Sequence, residues 1–386
     1  MVRTLLGLIV GAALVSAPVL AQTPLRSALH DYRVVTVADS LVQPWSMAFL
    51  PGGDLLITER PGRLRIVRNG MLLPQPVEGV PAVSYANQGG LLEVAPHPDF
   101  ASNRMLYLTF SKPLDGAEAT TALVRGRFEN DRLTNVQQLF ESVSKGRGHF
   151  GGKIAFDGKG FLFLTLGDRQ VAPAGNLEAH PAQDLTNHHG KIVRLHDDGR
   201  VPADNPFISR AGARPETWSY GHRNVQGIAI HPETGDVFAT EHGPMGGDEL
   251  NRILPGLNYG WPVVGFGVNY TTGLAIHQGT MREGMEQPRH IWVPSIGISG
   301  GIFYTGDRFP QWKGNYFTAG MAGQQLARLT LKGINVVNEE TLVPQMGRIR
   351  DVRQGLDGYI YLAIEDRDGK PTPILRMEPV ERSTVH

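Results

Sequence analysis

Two arginines and one histidine lie in sequence contexts where their side chains could act on a bound ligand. Arg348 and Arg350 lie two residues apart at the expected start of a β-strand, so their side chains point to the same face. Paired guanidinium groups form a fork that holds carboxylates, although two arginines on one face are also typical of a solvated sheet edge. His149 lies among four glycines just before an expected strand, and glycine lets a ligand approach the backbone closely. Its pKa suits a general base, but a single histidine is more often structural.

Three expected turns offer further polar groups. Arg223 and Asn224 place a cation beside an amide, and Gln88 is the amide of a glycine-containing turn. Each of these side chains could contact a ligand or could satisfy only the local backbone. Gly243 and Pro244 present two backbone carbonyls, which are oxygen ligands of the kind that calcium accepts. Because the sequence has no EF-hand loop, spacing alone does not define a metal site.

Composition and missing motifs exclude several classes of function. The chain has no cysteine, which excludes a disulfide framework, a thiolate ligand and a cysteine nucleophile. There is no P-loop, and no glycine fingerprint leads from a strand into a helix as dinucleotide binding requires. Four histidines between residues 180 and 196 match no zinc-binding spacing. Lysine plus arginine and aspartate plus glutamate balance at 37 each, which argues against a nucleic-acid partner.

Short β-rich runs on either side of a Gly- or Asp-containing turn recur along the chain and predict an all-β fold. The six hairpins are expected at residues 46–58, 91–110, 153–166, 227–240, 301–318 and 351–364. The hairpins repeat about every 60 residues, which is slightly longer than the usual period of a propeller blade. Loops 170–190 and 262–290 account for the additional length. We therefore predict one domain over residues 22–386, a six-bladed β-propeller of four-stranded antiparallel blades. The alternative is a β-sandwich or two all-β domains.

The first 21 residues have the order of a secretory signal peptide. Arg3 supplies the positive charge, 5–15 is the apolar run, and Val19 and Ala21 stand at the positions that a signal peptidase requires. The apolar run is short for a membrane span, and an uncleaved N-terminal anchor is the alternative. We expect cleavage after Ala21 and a periplasmic or secreted protein without a membrane span.

Seven segments in register resemble the soluble quinoprotein glucose and aldose sugar dehydrogenases, the glucose/sorbosone dehydrogenase family. They are QPWSMAF at 43–49, NQGGLL at 87–92, HFGGKI at 149–154, YGHRNVQG at 220–227, EHGPMGGDE at 241–249, NYGWP at 258–262 and RIRD at 348–351. The resemblance implies a six-bladed propeller, in agreement with the hairpins. It also implies an enzyme that oxidises the C1 hydroxyl of an aldose to a lactone with calcium-bound pyrroloquinoline quinone (PQQ), and passes the electrons to an acceptor that the sequence does not identify.

The resemblance assigns roles to residues at family positions. It implies contacts to PQQ from five side chains, which are Gln88, Arg223, Asn224, Arg348 and Arg350. The two arginines near position 350 would bind PQQ carboxylates. His149 would take the proton from the anomeric hydroxyl as hydride passes from C1 to C5 of PQQ, while Arg223 stabilises the developing negative charge.

Two calcium ions are implied in the same way. The carbonyls of Gly243 and Pro244, with PQQ itself, would hold a catalytic ion that polarises the quinone carbonyl. The Glu249 carboxylate and the Tyr259 backbone carbonyl would hold a structural ion, with Asp248 as a further candidate ligand.

The sequence departs from the family at two positions. Ala322 stands where the well-known glucose dehydrogenases have a lysine that contacts a PQQ carboxylate, and the nearest lysine is Lys313. Gly148 replaces an aspartate before the expected base. These differences resemble the aldose sugar dehydrogenase branch and leave weak PQQ binding open. The main alternative is a non-enzymatic propeller that binds a protein or glycan partner, and a calcium-dependent lactonase is a more distant one.

Overall fold

The computed structural model describes residues 24–381, and almost all of its regular structure is β-strand. Within that range, 24 strands form six antiparallel four-stranded sheets, which confirms the predicted propeller. The first strand, β1 (Asp31–Val42), belongs to the last blade. Blade 1 contains β2 (Pro44–Phe49), β3 (Leu55–Glu59), β4 (Arg63–Arg68) and β5 (Met71–Leu72). Blade 2 contains β6 (Leu91–Pro96), β7 (Met105–Pro113), β8 (Ala119–Glu129) and β9 (Arg132–Gly146).

The remaining blades follow the same order from the inner to the outer strand. Blade 3 contains β10 (Ile154–Phe156), β11 (Phe161–Leu166), β12 (Lys191–His196) and β13 (Thr217–Tyr220). Blade 4 contains β14 (Val225–Ile230), β15 (Val237–Glu241), β16 (Asp248–Ile253) and β17 (His290–Trp292). Blade 5 contains β18 (Ile298–Phe303), β19 (Tyr316–Gly320), β20 (Gln325–Lys332) and β21 (Asn335–Leu342). Blade 6 contains β22 (Arg348–Gln354), β23 (Ile360–Glu365), β24 (Pro371–Val380) and, as its outer strand, β1.

The few helical elements are short and lie between strands. They are α1 (Phe100–Asn103) and the 3-10 turns Leu177–Ala179, Pro181–Gln183 and Pro310–Trp312. No helix among the described residues is long and apolar enough to cross a membrane. The predicted signal peptide lies outside residues 24–381 and stays a prediction.

All six predicted hairpins are confirmed, because each is the pair of inner strands of one blade. The turn between β10 and β11 shows why the sequence signal is strong. Asp157 Oδ1 accepts hydrogen bonds from the backbone N–H groups of Lys159 at 2.8 Å and Phe161 at 3.1 Å. Gly158 and Gly160 supply the positive φ angles of 71° and 90° that such a reversal needs.

Blade 6 closes the ring by combining both ends of the described chain. β1 pairs antiparallel with β24, from Asp31 opposite Val380 to Val42 opposite Pro371. This pairing makes the last sheet depend on residues more than 300 positions apart, so the ring closes only when the whole chain has folded.

The hydrophobic core is divided among the boundaries between blades. In the described part of the chain, each of the six boundaries has its own cluster of buried apolar side chains. Both faces of a sheet are therefore covered, and β3, for example, is buried at every position. A single blade could not bury these faces alone, which explains the requirement for a closed ring.

A buried network of charges joins the inner strands near the axis. Lys153 Nζ lies 3.0 Å from Glu93 Oε2 and 2.9 Å from Asp351 Oδ1. The Arg353 guanidinium pairs with both carboxylates, at 2.9 Å from its Nε to Asp351 Oδ2. Lys153 Nζ also lies 4.3 Å from the centre of the Trp45 ring. The network links blades 1, 2, 3 and 6 directly beneath the floor of a cavity.

Candidate active site

A cavity of about 870 Å³ opens where the inner strands begin. Its lining comes from all six blades and from the two long loops that the sequence analysis noted. Eight of the predicted site residues line it, namely Gln88, His149, Arg223, Asn224, Pro244, Asp248, Arg348 and Arg350. Residues that lie near the starts of different inner strands, far apart in sequence, therefore meet in this cavity.

The His149 imidazole has one of its two nitrogens bound to a carboxylate. Its Nδ1 lies 2.6 Å from Asp168 Oδ1, and the other carboxylate oxygen accepts the Trp261 Nε1–H at 2.8 Å. Burial lowers the pKa of His149 below its ordinary value, and the Asp168 carboxylate opposes this only in part. Burial raises the pKa of Asp168, but the His149 imidazole, the Arg223 charge and the Gln170 N–H together bring it below its ordinary value. Asp168 thereby favours the tautomer that carries its proton on Nδ1, which leaves Nε2 as an acceptor.

Gln88 acts on the same histidine through the backbone. Its Oε1 accepts the His149 N–H at 2.8 Å, so the amide joins blade 2 to the segment that precedes β10. Arg60 in turn donates to the carbonyls of Asn87 and of Gly89, the latter at 3.1 Å from its Nε. The predicted amide is thus a rigid part of the cavity wall.

The predicted arginine pair does share one face. The side chains of Arg348 and Arg350 both reach Met321 Sδ, at 3.5 and 3.2 Å. Arg348 also forms an ion pair with Glu365 at 2.8 Å. Arg350 donates to Gln226 Oε1 at 2.7 Å, and its Nε has no hydrogen-bond partner among residues 24–381. This arrangement excludes the interpretation as a solvated sheet edge.

Arg350 is a buried cation that has no direct carboxylate partner among the described residues. Its guanidinium lies 4.6 Å from the centre of the Trp45 ring, and burial lowers its pKa to about 10. A buried guanidinium of this kind is costly unless an anion reaches it. Arg350 therefore gives the cavity a buried cation that an anionic ligand could neutralise.

Arg223 and Asn224 lie in the turn between β13 and β14, as predicted. The Arg223 guanidinium is 5.2 Å from the centre of the Trp261 ring and donates from Nη1 to the His242 carbonyl at 3.3 Å. Asn224 Oδ1 accepts a hydrogen bond from Gln226 Nε2 at 3.0 Å. Trp261 thus contacts both Arg223 and Asp168, which places the arginine beside the histidine–aspartate pair.

The Gly243–Pro244 turn is braced by Asp248. One oxygen of that carboxylate accepts the Gly243 N–H at 3.0 Å, and the other accepts the Ile298 N–H at 2.9 Å. Among the described residues, no group donates a hydrogen bond to the carbonyl oxygen of Gly243 or Pro244. Two acceptor oxygens are thus left open beside the cavity.

Gly243, Glu249 and Tyr259 do not line the large cavity but lie behind it, around a small one of about 20 Å³. Glu249 stands opposite Glu241 on the neighbouring strand, and Asn251 Nδ2 donates to both carboxylates at 3.1 and 3.0 Å. Burial and the Glu241 charge raise the pKa of Glu249 to about 8. Paired buried carboxylates require a proton or a cation between them.

Sequence reasoning missed the residues that position the predicted ones. Asp168 and Glu365 lie outside the quoted motifs, whereas Trp45 and Trp261 lie inside QPWSMAF and NYGWP but received no role there. The roles of Asp168, Trp261 and Trp45 come from contacts with residues far away in the chain. The two motifs were the signal for Trp45 and Trp261. Asp168 had a positional signal, because it follows the end of β11, and the second strand of a hairpin ends beside the start of the first.

Comparison with known proteins identifies the family. The sequence profile described as Glucose / Sorbosone dehydrogenase matches residues 41–376. The chain belongs to the glucose/sorbosone dehydrogenase family. The aldose sugar dehydrogenase YliI of Escherichia coli is 41% identical over 354 residues, which cover 90% of this chain and 92% of that protein. The resemblance predicted from the motifs is thereby confirmed, and with it the prediction of an oxidoreductase of the sugar dehydrogenase type.

Solved structures of the family agree with this assignment. A crystal structure of a glucose dehydrogenase superposes with a TM-score of 0.84 at 47% identity, covering 91% of this chain and 100% of that one. The PQQ-bound aldose sugar dehydrogenase of Streptomyces coelicolor superposes with a TM-score of 0.74 at 30% identity, covering 90% of this chain and 98% of that one.

Proposed function

We propose that this protein oxidises the C1 hydroxyl of aldose sugars to lactones, with PQQ and calcium as cofactors and His149 as the general base. The observation that carries the proposal is the His149–Asp168 pair, which lines the same cavity as Arg348 and Arg350. A base and an anion-binding pair in one cavity match a sugar hydroxyl and a polycarboxylate cofactor. The PQQ-bound relative supports the identity of that cofactor.

The residues of the cavity fit PQQ. The molecule is planar and carries three carboxylates, and the cavity offers Arg223, Arg348 and Arg350 together with the amides of Gln88 and Asn224. The Nε group of Arg350, which lacks a partner among the described residues, is a donor that a carboxylate would satisfy.

A calcium ion beside the cavity would be bound by backbone carbonyl, cofactor and water oxygens and not by side chains. In the described range, no three His, Cys, Asp or Glu side chains converge as a metal site. The open carbonyls of Gly243 and Pro244 would supply two oxygens, and the cofactor and water the rest. Glu249, with Glu241 beside it and the Tyr259 carbonyl nearby, would hold the second ion, whereas the Asp248 oxygens already brace the Gly243 turn.

The residues of this chain would act as follows. When bound, calcium-held PQQ supplies the hydride acceptor for C1 of the sugar. His149 Nε2 accepts the proton of the C1 hydroxyl, and Asp168 stabilises the imidazolium that forms. Arg223 stabilises negative charge on the oxidant side of the cavity. The electron acceptor stays unassigned, and export to the periplasm by the predicted signal peptide remains part of the proposal.

Reconstitution tests the proposed function. Apoprotein supplied with PQQ and Ca²⁺ is expected to bind the chromophore and to reduce a redox dye when aldoses are added. Chelation of calcium before PQQ is added should prevent assembly. A protein that neither binds the chromophore nor reduces the dye would instead be a ligand-binding propeller.

A lysine at position 322 is expected to tighten PQQ binding. Ala322 lines the cavity next to Met321, the residue that both Arg348 and Arg350 contact. Ala322→Lys adds a cation there, and a charge-assisted hydrogen bond is worth about tenfold or more in affinity. PQQ titration of the apoprotein in the presence of calcium measures the effect. Ala322→Met is the matched control, and equal affinities of the two variants would show that charge at this position is irrelevant.

A further inference from the structure

His149 has a backbone conformation that a residue with a side chain rarely adopts. Its φ angle is 45°, in the left-handed region. Such a conformation persists only when the surrounding contacts hold it. The Gln88 side chain holds the N–H group and Asp168 holds the ring, so a third contact is needed for the carbonyl.

Arg169 makes that third contact. Its Nη1 donates to the His149 carbonyl at 2.7 Å and to the Gly167 carbonyl at 3.1 Å. Its Nη2 donates to Thr121 Oγ1 at 2.7 Å, and its Nε donates to the Ser144 carbonyl at 3.3 Å. One guanidinium thus fastens the segment before β10 to blade 2 and to the end of β11.

The cation itself is unusual for a structural residue. Arg169 is 4% exposed, and all of its hydrogen-bond acceptors among the described residues are neutral. Burial lowers its pKa to about 9. Burying an arginine without an ion pair costs desolvation free energy. An apolar side chain would fill the same space without that cost if the role were purely structural.

The backbone around Arg169 leaves no room for a different arrangement. A Cβ atom at Gly167 would lie 2.1 Å from the His149 carbonyl oxygen, and one at Gly146 would lie 2.7 Å from Arg169 Cβ. Both glycines are therefore required for the two segments to approach closely. The close backbone approach places Arg169 beside the His149 carbonyl, and the guanidinium completes the contact.

We propose that Arg169 is a positioning residue for His149, which fixes the carbonyl of the base and so aims Nε2 into the cavity. This inference rests on the proposed function. Arg169 also acts electrostatically, because it is one of the charged or titratable groups that face His149, together with Asp168, Arg223 and His242. Loss of the Arg169 charge is expected to raise the pKa of His149.

The test compares Arg169→Met and Arg169→Lys in the holoenzyme. Arg169→Met is expected to lower kcat by between about tenfold and 100-fold, because small displacements of a reacting group have effects of this size. The acid limb of kcat/KM should move to higher pH, since His149 must be neutral to act. PQQ affinity should stay unchanged. Arg169→Lys, which keeps the charge and can still reach the carbonyl, should recover part of kcat and restore the pH limb.

Arg328→Met is the matched control for loss of a buried arginine. Arg328 is 2% exposed and pairs with Glu340 in blade 5, away from the cavity lining. This variant should lose stability without a change in pH profile. Folded Arg169 variants with wild-type kcat and pH profile would overturn the inference.

A second readout does not depend on turnover. The ring signals of His149 in isotope-labelled apoprotein, assigned with His149→Ala, report its pKa directly by NMR. Arg169→Met should raise that pKa and Arg169→Lys should not. An unchanged value in both would contradict the electrostatic part of the inference. If wild-type protein oxidises no aldose, the proposed function fails, whereas the NMR titration still decides whether Arg169 sets the state of His149.

Discussion

Replacing His149 by alanine is expected to lower kcat with aldoses by about 10²–10⁴-fold, because removal of a positioned general base has effects of this size. The proton of the C1 hydroxyl would then pass to water, because the other side chain held by Asp168 is Trp261, whose indole N–H cannot accept a proton. PQQ absorbance and affinity should be retained, since the contacts proposed for the cofactor come from other residues. Steady-state dye reduction and PQQ titration together measure the two quantities.

Two further variants sharpen this prediction. Asp168→Asn keeps the shape of the pair, but an amide that donates to His149 Nδ1 would move the ring proton to Nε2, so we expect a loss of similar order. His196→Ala changes a histidine at the end of β12, outside the cavity lining, and should leave kcat unchanged. Full turnover of His149→Ala would remove this histidine from the role of base.

Replacing Lys153 by methionine is expected to destabilise the fold by about 3–5 kcal/mol. The ammonium group is 3% exposed and neutralises half of the charge on Glu93 and Asp351, with Arg353 supplying the rest. Methionine fills a similar volume but leaves a net negative charge buried beneath the cavity. Chemical denaturation followed by tryptophan fluorescence measures the loss in unfolding free energy.

Lys112→Met is the matched control for an exposed ion pair. Lys112 pairs with Glu141 at 2.5 Å, but both side chains are about one-third exposed, so its loss should cost less than about 1 kcal/mol. The double variant Lys153→Met with Glu93→Gln removes one charge of each sign and should recover part of the stability. Equal effects of Lys153→Met and Lys112→Met would show that the axial network contributes little.

The sequence by itself determined the architecture and indicated eight of the residues that line the cavity. A hairpin turn depends on local sequence. In the turn between β10 and β11, Asp157 and the neighbouring glycines specify the chain reversal without contacts from the rest of the chain. The alternation rule likewise placed Arg348 and Arg350 on one face, because it depends only on backbone geometry. Motif resemblance then indicated which turn residues, such as His149 and Arg223, would face a ligand.

Only the tertiary structure decided how those residues are held and charged. Asp168 and Trp261 are 19 and 112 residues from His149, and no local pattern shows that one carboxylate binds both rings. The same holds for Arg169 and for the Glu241–Glu249 pair, since burial and the sign of neighbouring charges are set by which blades come together. A pKa depends on this assembled environment, which a linear sequence does not contain.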